Sequence, residues 1–269
     1  MKGIYLGLAA AILVAIGGGA LLLALPGGDP GEEQDDRDVL YQVSTIDALM
    51  ESVYDGTLSF EELRTRGDIG IGTFDALDGE MVALDGVYYQ VTVDGTVRVA
   101  DDTMTTPFAT VTFFDADRTI PVADGLDSTA ATALIDDALP STNMPYAVRI
   151  DGYFSGMKVR SVPRQEKPYP RLVDAVAHQR IFEYADVEGT VVGIFTPAFM
   201  DGLNVPGYHL HFISDDRRLG GHVLDFTIEN GTIALDDTPE FRMILPTHGA
   251  FYAANLSADL SVEIERVEK

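Results

Sequence analysis

Three histidines fall within a stretch of 14 residues, His209, His211 and His222, in a chain of 269 residues that has five His in all. The run reads Gly207-Tyr208-His209-Leu210-His211-Phe212-Ile213-Ser214. It is followed by the polar turn Asp215-Asp216-Arg217-Arg218 and by Gly220-Gly221-His222. Residues two apart on a strand point to one face. His209 and His211 therefore project together, while Tyr208, Leu210 and Phe212 take the other side. The glycine pair permits a close return, and His222 opens the next strand opposite the first two. Three imidazoles converging across a hairpin make a facial metal site with vacant positions, which is a catalytic arrangement; structural sites are four-coordinate and closed. Zinc is the default ion for all-nitrogen donors, and iron, cobalt, nickel or manganese can occupy the same ligands. The chain has no Cys. That excludes disulfides, thiolate zinc sites, iron–sulfur clusters and cysteine nucleophiles, so a metal must sit on His and carboxylates.

The elements that must carry these residues read as α+β. Ile46, Leu49, Met50 and Val53 lie at i, i+3, i+4 and i+7 and predict a helix capped by Ser44 or Thr45. Ser59-Phe60-Glu61-Glu62 is a capping box that opens a second short helix. The period then changes to two. Met81–Leu84, Val87–Val93 and Val97–Ala100 read as strands separated by Asp85-Gly86 and Asp94-Gly95 turns. Phe108–Phe114 is another strand, and Asp127–Leu139 a helix. Tyr146–Ile150 and Met157–Val162 read as two strands about an Asp151-Gly152 turn, and Asn230-Gly231 reads as a further turn. The segment Ala258–Val267 fits strand or helix. The expected fold is mainly antiparallel or mixed β-sheet, extending into a β-barrel-like second half, with a few peripheral helices. The Pro-rich connection Pro163–Pro170 marks the best boundary, giving an α+β half over residues 38–165 and a β half carrying the metal site over residues 166–269.

Residues 1–37 stand apart. Gly3 to Gly28 is uncharged, and Ile4–Leu25 is long enough, at about 1.5 Å per helical residue, to span a bilayer core. Pro26–Asp38 reads as a flexible acidic tether. The segment is a signal peptide or a membrane anchor, and either exports the rest of the chain, secreted or held at the outer face of the membrane by residues 4–25. The chain carries a net charge of −25, with 14 Arg, 4 Lys, 29 Asp and 14 Glu. Such a surface stays hydrated in high salt, where repulsion is screened. It argues against a nucleic-acid partner, because phosphate binding needs clustered Lys and Arg.

The run from Gly207 to Phe226 closely resembles the metal-binding segment of α-acetolactate decarboxylases. The resemblance extends to Leu40-Tyr41-Gln42-Val43-Ser44-Thr45, to Gly70-Ile71-Gly72-Thr73-Phe74-Asp75-Ala76-Leu77-Asp78-Gly79-Glu80-Met81, to Thr106-Pro107-Phe108-Ala109, and to Val159-Arg160-Ser161-Val162-Pro163-Arg164-Gln165. It covers roughly residues 38–269. It implies a zinc ion on His209, His211 and His222, a catalytic Glu80, a substrate-facing Arg160, and a hydroxyl contact from Thr73. It also implies a second catalytic Glu near the C-terminus, for which Glu268 fits best and Glu263 and Glu265 are the neighbours. Arg149 competes with Arg160 for the guanidinium role. His178 and His248 read as structural or solvent-facing. A homodimer is carried only from the resemblance.

The chemistry so implied converts (S)-2-acetolactate to (R)-acetoin and CO2, the step that feeds acetoin and butanediol formation. Zinc would serve as a Lewis-acid electron sink for the enediolate, in place of an organic cofactor. Two alternatives use the same three His: an exported zinc-binding module, which needs neither Glu80 nor Arg160, and a zinc hydrolase with Glu80 as base.

Overall fold

The computed structural model describes residues 37–268. The expected signal or anchor segment, residues 4–25, and nearly all of the tether lie outside the described residues. Among the described residues no helix is long and apolar enough to cross a membrane.

Two sheets carry the chain. The first has seven strands in the spatial order Glu240–Ile244, Val39–Val43, Ala109–Thr112, Ile69–Thr73, Glu80–Leu84, Val87–Val91 and Val97–Val99. Its pairings are antiparallel except that Val39–Val43 runs parallel to Glu240–Ile244, so the first strand is closed off by one from near the C-terminus. The second sheet has the order Leu126–Asp127, Gly220–Asp237, Tyr146–Ser161, Arg180–Thr196 and Gly207–Ser214, with Arg118–Val122 added on Gly220–Asp237. Ile69, Ile71, Val82, Leu84 and Val91 of the first sheet form one buried cluster with Val192 and Ile213 of the second. Helix Ser128–Ala138 covers the second sheet with Ala131 and Ile135. Three short helices, Ile46–Met50, Leu172–Val176 and Ser261–Glu268, share a third cluster through Ile46, Leu49, Leu172, Val176, Ile264 and Val267.

Mostly β with few helices is the expected class. Of the expected barrel-like second half, what is seen is one short added pairing, His211–His222, Phe212–Gly221 and Ile213–Gly220, between the edge strand Gly207–Ser214 and Gly220–Asp237. The division expected at 165/166 falls inside the second sheet, since Tyr146–Ser161 precedes it and Arg180–Thr196, its partner, follows. Two predicted turns are absent. Tyr146–Ser161 and Gly220–Asp237 are continuous strands of 16 and 18 residues. Gly152 and Gly231 face each other across them. A Cβ on Gly152 would lie 2.5 Å from the Asn230 carbonyl oxygen, and one on Gly231 2.2 Å from that of Asp151. These glycines serve close backbone approach, a second reason for glycine in a strand. The Asp85-Gly86 turn is as expected, with both residues left-handed at φ 51° and 76°. Ser59 caps Phe60–Leu63 by accepting from the Glu62 amide.

Candidate metal centre and active site

The sheet register brings the predicted ligands together. His211 sits directly opposite His222, and His222 directly opposite Arg160. Cross-strand partners share a face, so these three side chains form one row, with His209 two residues along from His211. The three imidazoles are buried, and one ligand atom from each lies within 4.8 Å of the others; this is the one such His, Cys or carboxylate group among the described residues.

Their hydrogen bonds fix which nitrogens face inward. A carbonyl only accepts, so His211 Nδ1–H donates to the Met81 oxygen at 2.8 Å and leaves Nε2 bare. His222 Nε2–H donates to the Glu268 main-chain oxygen at 3.2 Å and leaves Nδ1 bare. The two bare nitrogens then face each other at 3.3 Å. Burial depresses all three imidazoles, with the Arg160 charge adding to it: His209 falls to about 3, and His211 and His222 lie well below the ordinary value. Neutral rings with opposed lone pairs and no proton to share are relieved by a cation between them. Two nitrogens bound at about 2.0–2.1 Å in a tetrahedral shell stand roughly 3.3–3.4 Å apart, so the donor set fits a divalent ion.

Three charged groups close on the imidazoles. Glu80 Oε2 is 3.8 Å from His211 Nε2. Glu268 Oε2 is 3.4 Å from His209 Nε2 and 3.8 Å from His222 Nδ1, and is a buried oxygen with no hydrogen-bond donor. Arg160 reaches both carboxylates, with Nη1 3.4 Å from Glu80 Oε1 and Nη2 3.6 Å from Glu268 Oε2, while Nη2 also donates to the Val267 carbonyl at 3.0 Å. Burial raises the Glu80 pKa to about 7 and also raises that of Glu268, and Arg160 pulls both the other way. These groups and an apolar wall of Ile46, Leu49, Leu77, Phe108, Val162 and Leu172 line a small cavity of about 30 Å³. The site thus combines divalent-ion ligands, a guanidinium and two carboxyls of raised pKa against a greasy wall. That suits acid–base chemistry on a small anion with alkyl groups.

Glu80 is held by a strained approach. Ala76 and Leu77 are left-handed at φ 60° and 57°, and Gly79 at φ 85°. Each non-glycine residue in that region costs roughly 1–3 kcal/mol, offset by its surroundings. Here the Ala76 N–H donates to Tyr54, its carbonyl accepts from Gln165 N–H, and Gln90 Nε2 donates to the Asp78 carbonyl. A Cβ on Gly79 would lie 2.2 Å from the Val91 oxygen. Thr73 lines the cavity, but its hydroxyl donates to the Gly79 carbonyl at 2.7 Å and so braces this turn.

Other predicted residues lie elsewhere. Arg149 pairs with Asp85 and Asp151, both at 2.7 Å. Glu263 faces Arg171, and Glu265 borders a separate surface pocket. His178 and His248 are exposed. Sequence reasoning missed the main-chain oxygens of Met81, Val267 and Glu268, which carry no residue-type signal. It also missed the apolar wall, whose members come from helices Ile46–Met50 and Leu172–Val176, from the turn at Leu77 and from the connecting residues Phe108 and Val162.

Comparison with known proteins finds one family model, alpha-acetolactate decarboxylase, matching residues 40–258. The alpha-acetolactate decarboxylase of Methanosarcina mazei is 55% identical over 232 residues, 86% of this chain and 81% of that one. That of Bacillus subtilis is 40% identical over 239 residues, 88% and 94% of the two chains. The crystal structure of alpha-acetolactate decarboxylase from Bacillus subtilis strain 168 superposes with a TM-score of 0.84 at 41% identity, covering 86% of this chain and 99% of that one.

Proposed function

The chain belongs to the α-acetolactate decarboxylase family and is a carboxy-lyase, and from that premise we propose that it converts (S)-2-acetolactate to (R)-acetoin and CO2 at a zinc centre held by His209, His211 and His222. The observation that carries this reading is the pair of bare, neutral imidazole nitrogens 3.3 Å apart, ringed by two carboxyls and a guanidinium. Bound there, a divalent ion supplies a Lewis acid that draws off the electron pair left on carbon when CO2 departs.

The protein's own groups do the rest. Arg160 offers a planar fork to the substrate carboxylate and then to the negative charge that develops as the bond breaks. The same guanidinium orients both carboxyls. Glu80, with a pKa raised to about 7 by burial, is poised to take or return a proton near neutral pH. Glu268, which meets the other Nη of Arg160, would in its protonated form give the enediolate carbon the one proton that replaces CO2, and delivery from one side sets the chirality of acetoin. Thr73 acts by holding the Gly79 carbonyl and with it the start of the Glu80 strand. The apolar wall receives the two methyl groups and keeps water from competing as proton donor.

The test is an assay on purified protein with racemic acetolactate. The expected result is release of CO2 and chiral acetoin, abolished by a chelator and restored by zinc. Acetoin formation that survives complete metal removal would falsify the zinc reading.

A further inference from the structure

One guanidinium ties together the three short helices that wall the cavity. Arg171 stands at the N-cap of Leu172–Val176. Its Nη2 lies 2.6 Å from Glu51 Oε1, at the C-cap of Ile46–Met50, and 2.8 Å from Glu263 Oε2, in the first turn of Ser261–Glu268. Each helix gives the cavity part of its wall: Ile46 and Leu49, Leu172, and Glu268. On the cavity side the last helix ends on the site itself, where the Val267 and Glu268 carbonyls accept from Arg160 and His222. On the other side it is joined to the first sheet by residues 247–259, which are mostly exposed, with Tyr252 73% exposed.

The site is closed. His209, His211, His222, Glu80 and Arg160 are each no more than 6% exposed. A five-carbon acid reaches them only if something moves. The histidines, Glu80 and Arg160 stand on ladder strands, whose displacement would break runs of backbone hydrogen bonds. The last helix has no ladder and joins the first sheet through an exposed segment, so it has the lowest cost of opening. We propose that Ser261–Glu268 is a hinged roof over the metal cavity, and that Arg171 clips it shut through Glu51 and Glu263. Arg171 is thereby a positioning residue that acts through the helix on Glu268. The proposal deepens the decarboxylase reading and rests on it for the substrate that passes beneath. By linkage, whatever seats the roof also retains the ion, because the Glu268 carbonyl orients His222.

The test uses zinc-loaded full-length protein and two rates that share the open state: chymotryptic cutting at Tyr252 and zinc release to a chelator. A partly exposed ion-pair network makes Arg171→Met accelerate both by about fivefold, and by the same factor, with the global unfolding midpoint unchanged. Glu263→Gln has the same effect, the double variant is no faster than either single one, and Arg171→Lys recovers part of the loss. Unchanged rates in Arg171→Met overturn the proposal. So does acceleration accompanied by cuts throughout the strands and a lower unfolding midpoint, which makes Arg171 a general stabiliser. Wild-type protein that forms no acetoin but still shows the shared fivefold change sinks the decarboxylase reading and leaves the clip standing.

Discussion

The active site has a floor and a roof built on different terms. The floor is ladder. Arg160 sits between Ile181 and His222, His211 between Val192 and His222, and Glu80 between Thr73 and Val91, so each backbone is gripped on both sides. The roof is a single eight-residue helix that brings Glu268 and two carbonyls to the same place. It is held by Leu260, Ile264 and Val267 beneath and by Arg171 at its edge. Metal ligands that must keep their spacing belong on the element that opens last. On the proposed mechanism, the proton donor that must let substrate pass belongs on the element that opens first. Differences between the two regions should therefore be measurable.

The largest effect is expected on the floor. His211→Ala removes a ligand and should cut kcat by about 10³-fold or more, with bound zinc falling in parallel by elemental analysis. Glu80→Gln keeps shape and metal but removes an acid–base group, and should lower kcat by roughly 10²–10⁴-fold at full zinc occupancy. Retained activity in the first, or lost zinc in the second, would make the floor something other than a ligand set with an adjacent acid.

Matched core deletions separate the regions next. Ile213 and Ile264 are 0% and 2% exposed, one in the floor and one under the roof. Either Ile→Ala change should cost about 2–5 kcal/mol. In Ile213→Ala the loss should appear in global unfolding by denaturant. In Ile264→Ala it should appear as faster cutting of residues 247–259 while the denaturant midpoint moves little. Equal global losses would mean that the helix and sheets unfold as one unit.

The smallest effect is a pH dependence. Seating the roof buries Glu268 and raises its pKa, with Arg160 opposing. A raised seated pKa means that the protonated form favours seating. That contribution is fully present below the ordinary carboxylate value and is lost as pH rises through the raised one. In metal-free protein, cutting at Tyr252 should quicken as pH rises above the ordinary carboxylate value, after normalisation to an unstructured peptide. Glu268→Gln should flatten the profile. An opposite slope would place the titrating group elsewhere.

The floor was legible because its signals are local. His209 and His211 at period two, a turn, and a returning His222 encode their own convergence, and the observed register pairs His211 with His222. Arg160 and Glu80 stood out only through the resemblance, since a Glu after a Gly and an Arg on an alternating strand are ordinary. The roof was illegible for a physical reason. Its grip on the site runs through main-chain oxygens, and its clip joins Glu51, Arg171 and Glu263 across about a hundred residues or more of chain. Gly152 and Gly231 misled because glycine serves both turns and close strand approach, and only the neighbouring strand decides between them.

The most direct measurement is stoichiometric reconstitution. Zinc is titrated into metal-free protein while acetoin formation from (S)-2-acetolactate is followed. Activity should rise in proportion to zinc and level off at one ion per chain, with His211→Ala flat throughout. Full turnover before any ion is added, or a plateau only at several ions per chain, would contradict a single three-histidine centre.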